Sequence, residues 1–198
     1  MHQLRHPFPG PLGGEGPVTS QRADPPRADA DTASRPSPVL VEVLICGSPD
    51  RGDDGAALVA ASILALGLPA DVRVRVIGRL DVDDLLDVPA GATVVIVDAA
   101  TGIRPGQVLS VALDELAIDA AGLRPRSSHA LAFPEVFGLA TLLRGRPLEG
   151  RLVAIGGKDF TLGGPLSKRV KAAIPGFVSV VRWSIDQARI GRPIRVEG

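Results

Sequence analysis

Thr93-Val94-Val95-Ile96-Val97 is apolar on both of its faces and runs straight into Asp98. Side chains alternate sides along a strand, so such a run needs cover above and below, the setting of a central strand in a parallel sheet. The flanking sequence fits that setting. Val39–Cys46 is a β-branched apolar run closed by Gly47-Ser48-Pro49-Asp50, a buried strand followed by a loop. Ala56–Leu66 has helical spacing and stops at Gly67 and Pro69; Val72–Ile77 alternates as a strand; Asp81–Leu86 reads as a short helix. Val108–Ala112 is a weaker strand, Leu131–Leu143 is helical despite Pro134, and Leu152–Ile155 is strand-like. Leu166–Ala173 and Val178–Ala188 form a last helical region, expected to break near Pro175-Gly176. The alternation predicts an α/β fold: a mostly parallel sheet of about five strands with helices on both faces.

Prolines mark the domain limits. Residues 1–38 hold eight of the 18 prolines and few large apolar side chains, so the segment is expected to stay disordered or polyproline-like. It lacks a continuous apolar stretch for a secretory signal, and Glu15, Asp24, Asp29 and Asp31 argue against a transit peptide. Residues 39–190 form the expected α/β domain, and 191–198 a short C-terminal tail. With 22 basic and 22 acidic residues the chain has no net charge to draw it to nucleic acid or to an anionic membrane. No window approaches the apolar length of a membrane span. Cys46 is the one cysteine, so no intramolecular disulfide and no multi-cysteine zinc site can form, which fits a reducing cytoplasm.

In sheets of this kind ligands gather at the carboxyl ends of the strands. Three features fall there. The loop Gly47–Gly55 occupies the position of a phosphate-binding loop, but two carboxylates, Asp53 and Asp54, follow Gly52 where Lys and Ser or Thr would stand. Acids at a helix N-terminus compete with phosphate for the same N–H donors, so nucleotide binding is not expected. The plainer reading is a helix cap, although a cap needs one acid and not two. Asp98 ends a buried strand, where a carboxylate must be solvated in a cleft, paired or metal-bound; the plainer reading is a turn before Thr101-Gly102. His129, in Ser127-Ser128-His129, is the one imidazole of the expected domain, since His2 and His6 lie in the tail. A lone histidine is more often structural than functional. Even so, chemistry that needs a neutral-pH proton carrier has one histidine to use. An imidazole with two carboxylates can hold a divalent transition metal such as nickel, iron, manganese or zinc.

Other constellations are weaker. Adjacent Ser128 and His129 seldom reach nucleophile–base geometry, and no G-x-S-x-G elbow is present. Cys46 reads as buried packing before it reads as a nucleophile. Gly156-Gly157-Lys158-Asp159-Phe160, with Gly163-Gly164, is either a cleft-shaping loop or a bare connector.

Four motifs in register carry a resemblance: Gly47-Ser48-Pro49-x-x-Gly52-Asp53-Asp54-Gly55, Val97-Asp98-Ala99, Ser127-Ser128-His129, and Gly157-x-Asp159-Phe160-x-x-Gly163-x-x-Leu166-Ser167. Over about residues 41–185 the chain resembles the hydrogenase maturation proteases. The resemblance implies a three-layer αβα sandwich. It further implies an endopeptidase, aspartyl-protease-like in its use of acids, that clips a C-terminal peptide from a nickel–iron hydrogenase large-subunit precursor after nickel insertion. Asp54, Asp98 and His129 would then be both the metal-recognising and the catalytic residues. The nickel arrives with the substrate, no tightly bound cofactor is expected, and the partner is the precursor in the cytoplasm. Two positions depart from the family pattern. Gly-x-Gly-Asn is here Ile45-Cys46-Gly47-Ser48, and Lys158 stands where an acidic or neutral residue is common. The alternatives are a metal-sensing scaffold that does not cut, and an unrelated small-molecule enzyme on the same fold.

Overall fold

Five strands form one sheet in the order β2-β1-β3-β5-β4, with β1 Val41–Ile45, β2 Val72–Val76, β3 Thr93–Ala100, β4 Val108–Ala112 and β5 Gly150–Gly156. The chain divides into units Met1–Pro36 and Ser37–Gly198, and this computed structural model describes residues 40–115 and 133–191, all within the second. The readings of 1–38 as a tail, of 192–198 and of His129 lie outside the described residues. All pairings are parallel except β4 with β5, which is antiparallel. β3 is central and apolar on both faces, as its sequence requires: Thr93 through Val97 are all buried.

Helices cover both faces, and the fold is a three-layer αβα sandwich. The helices are α1 (Ala56–Leu64), α2 (Val82–Leu86), α3 (Phe133–Arg144) and α4 (Lys168–Ile190). Val43, Ile45, Val95, Val97 and Ile155 face a core shared with α1 and α4. Leu44, Cys46, Val94, Ile96 and Ala154 face the opposite core, with α2 and α3. The period of two along each strand divides the two cores.

One expectation fails. The last helix runs unbroken through Pro175 and Gly176. Proline there removes the single bond to the Lys171 carbonyl. Burial of Val170, Ile174, Phe177, Val178, Val181 and Ile185 on one face outweighs that loss.

The apolar reading of β1 also overlooks Glu42, which is fully buried. Its carboxylate accepts from Arg73 Nε at 2.6 Å and Arg75 Nε at 2.7 Å, two arginines that alternate with valine on β2. Arg75 also donates to the Asp84 carbonyl of α2, so one buried acid ties edge strand and helix together. At the amino-terminal end of the sheet Arg144 of α3 donates to the carbonyls of Leu85, Leu86 and Val88. The opposite end of α3, at Phe133, is therefore directed to the carboxyl ends of the strands, on the Cys46 face of the sheet.

Candidate active site

Asp53 and Asp54 sit in a 3-10 turn, Gly52–Gly55, that leads directly into α1. Neither side chain caps the helix: no cap hydrogen bond is made at the turn or at α1. This corrects the capping reading, because each carboxylate is drawn to a more distant donor. Asp53 is fully buried and turned toward the loop before α4. Its Oδ2 accepts from the N–H of Lys158 at 2.7 Å and of Asp159 at 3.0 Å, and its Oδ1 from the N–H of Ser167 at 2.6 Å. Burial pushes its pKa up, but the Asp159, Lys158 and Ser167 N–H groups outweigh burial and hold it below the ordinary value. The glycine-rich loop is thus a clamped element and not a bare connector.

Asp54 turns the other way. Its Oδ2 accepts from the Ser48 N–H at 2.9 Å, which holds it against the loop after β1. Half-buried, it has its pKa raised by burial against the opposing pull of the Ser48 N–H and Arg51.

Asp98 lies in β3, which runs on to Ala100, so it is a strand residue and not a turn former. It accepts from the N–H of Ala99 at 2.7 Å. Burial raises its pKa to about 7, the Ala99 N–H opposes, and the charge of Asp54 adds to the rise. The charge of Asp54 is felt at Asp98, so the two carboxylates of the sequence reading lie within electrostatic reach of each other. Cys46 borders them. It is 2% exposed and packs with Leu44, Leu80 and Val82, and burial together with the charges of Asp98, Asp84 and Asp54 pushes its thiol pKa up. A thiol so placed stays protonated, in keeping with the packing reading.

His129 lies outside the described residues, as do Ser127 and Ser128. Four positions after His129, α3 begins on the same face of the sheet as Cys46, with Phe133 packed in that core. Among the described residues, no group of three or more His, Cys, Asp or Glu is arranged to hold a metal. A metal there would need ligands beyond the described residues. Beside the turn, on its α1 side, lies a groove of about 290 Å³ lined by Pro49, Gly52, Leu58, Val59, Pro165 and Leu166. Neither Asp54 nor Asp98 lines it.

Sequence reasoning missed the clamping role of Asp53. The available signal was the co-occurrence of a second acid with an N–H-rich glycine loop more than 100 residues later. The two departures in the motifs also find their places. Ser48 serves Asp54 through its backbone N–H, which any residue but proline supplies, and the side chain of Lys158 is exposed while its N–H serves Asp53.

No protein-family model matches the sequence, and no curated protein sequence matches it. Solved structures do. The chain is similar to the NiFe hydrogenase maturation protease HybD from Thermococcus kodakarensis at 28% identity, covering 72% of this chain and 97% of that one, with a TM-score of 0.56. It is similar in fold to the hydrogenase maturating endopeptidase HybD from E. coli at 19% identity, covering 75% and 93%, with a TM-score of 0.64. It is likewise similar in fold to HycI from Thermococcus kodakarensis KOD1, a NiFe hydrogenase maturation protease, at 19% identity, covering 76% and 94%, with a TM-score of 0.55. The likeness in fold is thus to the hydrogenase maturation proteases, a class of peptidases.

Proposed function

We propose, on this likeness, that the chain is an endopeptidase that removes a C-terminal peptide from a nickel-loaded hydrogenase large-subunit precursor. What supports the reading is Asp98 in the carboxyl half of the central strand within reach of the charge of Asp54, in a chain with the maturation-protease fold. The nickel belongs to the substrate. Asp54, Asp98 and His129 are the residues proposed to dock on it, and no resident cofactor enters the reading. Carboxylate oxygen and imidazole nitrogen suit a divalent transition metal, and the held orientation of Asp54 limits how the precursor can seat.

Peptide hydrolysis needs a group that takes a proton from water and returns one to the leaving amine. Asp98, with a pKa of about 7, exchanges a proton near neutrality and suits that task. Repulsion between two nearby acids disfavours ionising both, and an arriving cation favours it. The site is thereby answerable to the metal content of the precursor. Protease and precursor are proposed to meet in the cytoplasm; among the described residues no helix is long and apolar enough to cross a membrane.

The test incubates the full chain with nickel-loaded precursor and weighs the product. Loss of a C-terminal peptide is expected from the loaded precursor and not from the metal-free one. An unchanged mass with wild-type protein overturns the peptidase reading, and tight binding without mass loss identifies a metal-sensing scaffold in its place.

A further inference from the structure

We infer that Asp53 is a positioning residue: a buried anion that braces the turn Gly52–Gly55 against the loop 157–167 and so holds the adjacent Asp54 toward Asp98. The inference rests on the peptidase reading above for the reaction it serves, and on hydrogen bonds for its geometry.

The brace runs in both directions. The carboxylate of Asp53 accepts from the N–H groups of Lys158, Asp159 and Ser167. In return the Asp53 N–H donates to the Asp159 carbonyl at 2.7 Å and the Gly52 N–H to the Gly164 carbonyl at 3.1 Å, while the Gly163 N–H donates to the Asp50 carbonyl at 2.7 Å. The Asp53 side chain makes three of these bonds. The surfaces also meet closely: a Cβ on Gly52, whose φ is +57°, would stand 2.6 Å from the Asp159 carbonyl oxygen.

An N-cap satisfies donors of its own helix. Asp53 instead satisfies donors 105, 106 and 114 residues away, and so joins two segments that would otherwise move apart. Asp54 is one peptide bond from this anchor. Its side chain is held by the Ser48 N–H, on the far side of the turn. With Asp53 in place the turn is gripped from two directions; without its carboxylate the turn loses three bonds to the loop and keeps the backbone ones, so Asp54 gains freedom. The carboxylate is well suited to the task because each oxygen accepts and neither donates. In Asp53→Asn the amide nitrogen must face at least one of the three N–H donors, whichever way it is turned.

The experiment compares the full chain with Asp53→Asn and Ser167→Pro, following cleavage of nickel-loaded precursor together with backbone amide exchange. Ser167 has φ −62°, which suits proline, so that variant deletes one of the three donors, and its ring displaces the Asp53 carboxylate from that position. In Asp53→Asn the amides of Lys158, Asp159 and Ser167 are expected to exchange at least about tenfold faster while those of β1 and β3 keep their protection. The kcat should fall about tenfold or more with KM within about twofold, the mark of a displaced catalytic group and not of lost substrate binding. Ser167→Pro should speed exchange of the Lys158 and Asp159 amides and lower kcat in the same direction, and it carries the test if Asp53→Asn does not fold. Unchanged protection in Asp53→Asn overturns the brace. Freed amides with an unchanged kcat, or a raised KM with kcat intact, overturn the positioning of Asp54. Wild-type protein that cleaves nothing overturns the peptidase reading instead, and the amides then judge the brace by themselves.

Discussion

Gly47 lies so close to Asp54 that a Cβ on it would stand 2.1 Å from the Asp54 carbonyl oxygen. Its φ of +121° is also one that L side chains rarely adopt. The loop after β1 and the turn carrying the acid pair can touch because the residue between them has no side chain. Gly47→Ala is therefore expected to destabilise the protein by about 2–4 kcal/mol, from strain and clash together. It should also abolish processing in the fraction that remains folded. Urea unfolding beside a cleavage assay checks both, and wild-type cleavage by a folded Gly47→Ala protein would show that the close approach does not position Asp54.

Asp54→Asn should separate function from stability. The acid is half-buried with its pKa raised, so its charge does not stabilise the fold near neutrality. Processing is expected to fall at least about a hundredfold, with the unfolding free energy within about 1 kcal/mol of wild type. A variant that melts much earlier yet still cleaves would reverse the assignment.

Asp98 gives a pH dependence of defined sign. Its pKa rises on folding from 3.8 to about 7, so between those values the folded state holds more protons than the unfolded one. Stability from this group is full below about pH 4 and is lost as pH rises through about 7. Asp98→Asn removes that loss. It is expected to stabilise the protein by about 1–3 kcal/mol at pH 8, and to give no gain at pH 4, while cleavage disappears. Equilibrium unfolding at the two pH values is the measurement; an equal effect at both would refute the raised pKa.

The Glu42 cluster makes the opposite prediction. Glu42 is fully buried, while the side chains of Arg73 and Arg75 are 42% and 24% exposed. Neutralising the acid lets the arginines turn to water, which moderates the cost. Glu42→Gln should therefore destabilise by about 2 kcal/mol, less than for an ion pair sealed on both sides. Cleavage per folded molecule should stay at the wild-type level, because Glu42 sits at the amino-terminal part of β1, away from the acid pair. Loss of activity without loss of stability would contradict this separation.

Much of the fold was legible because its signals are local. The two-faced apolar run of β3, the strand–helix alternation and the placing of Asp98 at a carboxyl strand end follow from periods of 2 and 3.6 read along the chain. Where local and tertiary preferences conflicted, the tertiary ones prevailed. Pro175 signals a break, yet a buried face of six apolar residues keeps α4 continuous. Glu42 interrupts an apolar strand, yet two arginines on the neighbouring strand make its burial tolerable.

The acid pair marks the boundary most clearly. By itself the sequence determined that two carboxylates follow Gly52 at a strand end, and that this excess exceeds what a helix cap needs. It could not divide labour between them, since adjacent residues in a turn share every local preference. Tertiary structure decided it: Asp53 met three N–H groups from a loop more than 100 residues away and became an anchor. Asp54, rotated to the other side of the same turn, met the Ser48 N–H, put its charge within reach of Asp98 and is the candidate reactive acid. The role of a carboxylate is set by the donors and charges that reach it, and those come from segments the chain brings together only on folding.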